Sequence, residues 1–144
     1  MDDRQLYTVL TLAGVMPFLA CALLPVAGVE AIEPLGPLDR LASNYGMAIL
    51  CFLTGIHWAT QLYARDRAPF NLFIGSNVVF LAVWIAYVAS SLTWALATQL
   101  VAFPLLLAVD FHLQQTGLIS RHYLRMRFVA TAAASFSLLF ILVS

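Results

Sequence analysis

Residues 68–109 read APFNLFIGSNVVFLAVWIAYVASSLTWALATQLVAFPLLLAV, 42 consecutive positions without a charged side chain, and the run stops at Asp110, which apolar sequence still flanks. A water-soluble domain has no use for such a stretch. It is long enough for two crossings of a bilayer, each needing about 20 residues, divided only by Ser90, Ser91, Leu92 and Thr93. Asp110 then falls at membrane depth. A carboxylate there costs a few kcal/mol or more, so it faces a bundle interior, takes a partner, and marks either a pathway or a structural lock.

The rest of the chain has the same character. Of 144 residues, 62% are hydrophobic and 10% charged, with a mean hydropathy of +0.92. Ordinary soluble domains carry roughly 45–50% apolar and about 25% charged residues. Five apolar runs are predicted to be spans, at about 5–27, 41–63, 70–89, 94–113 and 125–144, forming one membrane domain over 1–144. The runs lack the alternation of barrel strands, and lipid offers backbone groups no water partner, so all five are predicted helices. The fold class is therefore an all-α integral membrane protein, a five-helix transmembrane bundle. The first run is read as a retained span: Asp2, Asp3 and Arg4 are not a net-positive leader, and the run exceeds a usual signal-peptide core.

There is no lysine, and the seven arginines divide unevenly. In a five-span chain, Arg4, Arg65, Arg67, Arg121, Arg125 and Arg127 fall on one side and Arg40 alone on the other. The positive-inside tendency then predicts a cytoplasmic N-terminus and an outside C-terminus, in a bacterial inner membrane or, in a eukaryote, a mitochondrial inner membrane with the N-terminus in the matrix. Residues 28–40, with Glu30, Glu33, Pro34, Gly36, Pro37 and Asp39, are the longest non-membrane segment and are expected to form turns or a short interfacial piece. Tyr7, Tyr63, Phe70 and Tyr123 at inner ends, and Tyr45, Tyr87 and Trp94 at outer ends, read as interfacial belts.

The polar residues within spans are the informative ones. His57, Asn77, Asp110 and Arg125 all fall toward the cytoplasmic ends of their helices, a convergence that makes them the candidate polar core. Asp110 with Arg125 reads as a structural salt bridge tying spans four and five, or else as a proton- or ion-handling carboxylate or a headgroup contact. His57 reads as a core histidine hydrogen-bonded to Asn77 or Thr54, or else as a proton relay or a haem, metal or quinone contact. On span four, Gln99, Phe103, Leu106 and Asp110 share one stripe, since 11 residues at about 100° each return to within about 20°. On span two, Cys51, Gly55 and Ala59 form a small-residue ridge suited to close helix packing, while His57 lies on a separate face with Leu50, Thr54 and Gln61. Together these faces predict span two at the centre of the bundle. Pro17 and Pro104 are expected to kink or locally unwind their helices. The two cysteines differ in depth, which disfavours a disulfide, and no Cys/His spacing suggests a metal site.

Tyr45 and Gly46, followed by Leu50, Cys51, Phe52, Leu53, Thr54, Gly55, Ile56, His57 and Trp58, resemble the signature of the domain-of-unknown-function 3429 family, the transmembrane protein 69-like small membrane proteins. Tyr123, Leu124 and Arg125 resemble that family's second signature. The resemblance covers almost the whole chain and implies a small five-span protein of bacterial inner membranes or mitochondria, with no established activity.

Three functions from different classes fit these residues. The first is a non-enzymatic bundle that associates with itself or with a larger membrane complex. The second is a proton or small-solute transporter or channel using His57, Asn77, Asp110 and Arg125. The third is a quinone- or haem-binding membrane protein. The expected partners are the lipid bilayer and a second copy or another membrane protein, with no nucleic acid, and no catalytic residue or cofactor is predicted.

Overall fold

A computed structural model describes residues 2–144. It holds five long helices, α1 (Asp3–Leu23), α2 (Leu38–Ala64), α3 (Leu72–Ala89), α4 (Leu92–Gln115) and α5 (Arg121–Val143). Each is long and apolar enough to cross a membrane. Short 3₁₀ turns at Leu24–Ala27 and Arg65–Arg67 extend the ends of α1 and α2.

Polar residues at the boundaries explain where the helices start. Asp2 accepts from the Gln5 amide while Gln5 reaches back to the Asp2 amide, a capping box that supplies partners to amides the helix cannot satisfy. Asn71, Ser91 and Ser120 cap α3, α4 and α5 with side-chain oxygens that accept from first-turn amides, without the reciprocal bond. The cap at Ser120 starts α5 before Arg125, and α2 begins at Leu38, directly after Pro37, so both helices are longer than their apolar runs. Between α1 and α2, β1 (Ala31–Ile32) and β2 (Gly36–Pro37) pair antiparallel, giving that loop a tight hairpin. Neither Pro17 nor Pro104 ends its helix, and both face outward.

α2 packs against each of the other four helices, while α1 and α4 flank α5. The predicted central place of α2 therefore holds, but on a different face. Leu50, Thr54, His57 and Gln61 are buried, whereas Gly55 and Ala59 are exposed, Cys51 is half-buried, and no atom comes within 4 Å of where a Gly55 side chain would begin. The Cys51–Gly55–Ala59 ridge is thus not an internal packing surface. Polar groups have the stronger claim on the interior, because an apolar surround gives them no hydrogen bonds, while small apolar residues lose little by facing it.

Close approach occurs elsewhere on α2. A side chain at Gly46 would overlap Oε1 of Gln99 and stand 3.0 Å from its Cδ, so only glycine lets α4 bring this glutamine in. Gln99 is fully buried, and its Nε2 donates to the Ser43 carbonyl at 2.9 Å. Beside it the Tyr45 hydroxyl donates to the Gly14 carbonyl of α1 at 2.7 Å, with the ring edge-on to Phe18. Tyr45 is therefore a tether between helices, not only a belt residue. Together these contacts give the Tyr45–Gly46 pair a structural role at one end of the bundle. At the other end, Gln61 accepts from the Leu72 amide at 2.8 Å, joining α2 to the start of α3, and Thr8 meets His122 at 2.9 Å, joining α1 to α5. Cys21 and Cys51 are both free thiols.

Candidate functional site

Three helices deliver one polar side chain each to a single point inside the bundle. α4 supplies Asp110, α2 supplies His57 and α5 supplies Arg127, with 2%, 3% and 7% of their surfaces exposed. His57 Nε2 lies 2.8 Å from Asp110 Oδ1, and Arg127 Nε lies 2.8 Å from Asp110 Oδ2. The carboxylate oxygen can only accept, so the imidazole donates through Nε2–H. Arginine stays protonated, so guanidinium and carboxylate pair as opposite charges while the histidine adds a hydrogen bond.

The helical repeat explains why these residues meet. In α4, Gln99, Phe103, Leu106 and Asp110 are all buried along the predicted stripe. In α5, Arg127, Thr131, Ala134 and Leu138 are buried at spacings of four, three and four. Arg125 precedes Arg127 by two residues, a rotation of about 200°, and so points the opposite way. It is exposed and lines an open groove of about 710 Å³ between α4 and α5, with Arg121, Gln114, Phe111 and Phe128.

Two sequence expectations are therefore corrected. The partner of Asp110 is Arg127, not Arg125, because Arg125 occupies the outer face of α5. Asn77 does not join the cluster: it is exposed and donates to the Phe73 carbonyl of its own helix at 2.7 Å, a bond that satisfies the amide without a neighbour. Nor does Thr54 serve His57, since its hydroxyl donates back to the Leu50 and Cys51 carbonyls at 2.9 and 3.1 Å. Of the four residues expected together, the structure joins His57 and Asp110. Trp58 is partly exposed and packs on Phe73 with ring centroids 4.7 Å apart, and Tyr123 lies edge-on to Tyr7 at 6.1 Å. Arg127 is the site residue that the sequence reading missed; its one sequence signal is the helical face it shares with Thr131 and Ala134, which does not by itself say that this face turns inward.

Of the Arg127 nitrogens only Nε has a partner, so both terminal nitrogens are left over. Arg127 Nη2 is buried without a hydrogen-bond partner, and Arg127 also lines a cavity of about 330 Å³ between α1, α2 and α5. Among the described residues no three His, Cys, Asp or Glu side chains gather as a metal site.

These features define a class: a small all-α bundle of five helices, each of membrane-crossing length, closed around a buried carboxylate that a histidine and an arginine share. The chain belongs to the family described as Protein of unknown function (DUF3429), whose model matches residues 4–143. No curated protein and no solved structure matches it.

Proposed function

We propose that this chain is a non-enzymatic, multi-pass bundle of a bacterial inner membrane or mitochondrial inner membrane, which works by association with itself or with a larger membrane complex. The observation that carries the reading is the closed His57–Asp110–Arg127 triad. Both carboxylate oxygens are engaged at 2.8 Å, so the most costly group in the interior is committed to holding α2, α4 and α5 together. A proton or solute carrier needs a carboxylate that can exchange partners.

The outward face of α2 supports association. Cys51, Gly55 and Ala59 repeat every four residues there, and small residues let a neighbouring helix come close enough for dispersion contacts in lipid. Orientation is supported by the arginines. Arg127 belongs to the interior, which leaves Arg4, Arg65, Arg67, Arg121 and Arg125 exposed at one end of the bundle against Arg40 at the other, the balance expected for a cytoplasmic N-terminus.

The test is extraction of the full chain directly into native nanodiscs, followed by mass measurement. Assemblies larger than one 15.8 kDa copy, or one copy with a stoichiometric membrane partner, are expected. Single copies with no protein companion would remove the reading. Proton flux through liposomes, lost on Asp110→Asn while the fold persists, would replace it with transport.

A further inference from the structure

We propose that the cavity between α1, α2 and α5 is a binding site for a neutral lipophilic molecule bearing a carbonyl, which accepts a hydrogen bond from the Arg127 guanidinium. Three observations converge on it. Arg127 is 93% buried, lines the cavity, and holds a donor that no protein atom satisfies. An orphaned guanidinium N–H in an apolar surround costs more than an ordinary hydrogen bond returns, so a ligand oxygen there has a strong claim. The remaining wall is almost wholly apolar, including Val15, Phe18, Ile56 and Phe103, and its volume is within the range of small-molecule sites.

Charge selects the headgroup. Asp110 is already paired with Arg127, so an anionic ligand would bring an uncompensated charge into the interior, whereas a carbonyl gives the guanidinium an acceptor and adds none. Position selects the entry. Leu10 and Phe52 line the cavity and are 60% and 65% exposed, so it opens on the flank of the bundle, where a molecule dissolved in lipid enters tail-out. The carbonyl can come from an isoprenoid-type quinone ring or from the acyl ester of a glycerolipid. The inference requires the bundle to sit in lipid and does not depend on association between copies.

The full chain, purified in a nonionic maltoside micelle, is titrated calorimetrically with five probes: a decyl-substituted benzoquinone, a didecanoyl glycerol ester, decylbenzene, decanoate, and the methyl ester of decanoate. Saturable one-to-one binding of the quinone or the glycerol ester is expected, and whichever binds identifies the source. Decylbenzene, which has no carbonyl, should bind about tenfold or more weakly, the margin of one hydrogen bond to a charged donor. A lowered carbonyl stretching frequency should accompany binding.

Arg127→Gln also breaks the ion pair, so the decisive variant is Ala130→Phe. It fills the cavity from α5 and leaves the triad intact. It should abolish binding of the carbonyl probe while retaining a cooperative melt. Equal affinity for decylbenzene, undiminished binding to a folded Ala130→Phe variant, or tighter binding of decanoate than of its methyl ester would each overturn the proposal.

Discussion

Arg127 Nε donates to Asp110 Oδ2 at 2.8 Å across the α4–α5 interface, and both side chains are more than nine-tenths buried. A pair so placed contributes less by attraction than it costs when halved. Replacing both partners with apolar groups is often tolerated, but removing one strands a charge in a low-dielectric interior.

Asp110→Asn should therefore destabilise the bundle by about 3–5 kcal/mol, the usual cost of breaking a buried pair from one side. Arg125→Gln, on the outer face, should stay within about 0.5 kcal/mol. Reversible unfolding in mixed micelles separates the two arginines: equal losses for Arg125→Gln and Arg127→Gln would reject the assignment of Arg127 as the partner.

His57→Phe removes the imidazole's hydrogen bond to a charged acceptor and should cost about 1.5–3 kcal/mol. The loss should shrink in an Asp110→Asn background, since the two residues act as one unit. A double-mutant cycle with additive effects would mean that the 2.8 Å contact carries no energy.

Gly46→Ala puts a methyl group where Gln99 lies. Gln99 is fully enclosed, so it has to give up its bond to the Ser43 carbonyl or push α4 away from α2, an overpacking cost of about 1–3 kcal/mol. Shortening the glutamine in Gly46→Ala/Gln99→Ala should recover part of that loss. Melting curves of the single and double variants decide whether the glycine is there for this contact.

Gly55→Leu should leave the stability of a single copy nearly unchanged, because space around the outward Gly55 is open. If the ridge mediates association, the same variant should lower the assembly mass in native nanodiscs. A large loss of monomer stability would show that this face of α2 packs internally after all.

Tyr45→Phe keeps the ring on Phe18 and removes only the bond to the Gly14 carbonyl. The expected cost is about 0.5–1.5 kcal/mol, read from the same unfolding experiment.

Sequence alone determined the number of helices, their approximate ends and which stripe of α4 turns inward. Those properties follow from the chain's own apolar runs and from the fixed angle between successive residues, neither of which needs a neighbour to define it. Partnership was a different matter. Arg125 and Arg127 are chemically identical and two positions apart, and only the rotation of α5 against α4 decides that Arg127 meets Asp110 while Arg125 faces out. The tertiary arrangement likewise turned Gly55 outward, left Asn77 to its own helix, and made Gly46 the place where α4 crosses α2 closely. Burial of a polar group depends on what the other helices bring to the same depth, and that information belongs to no single segment.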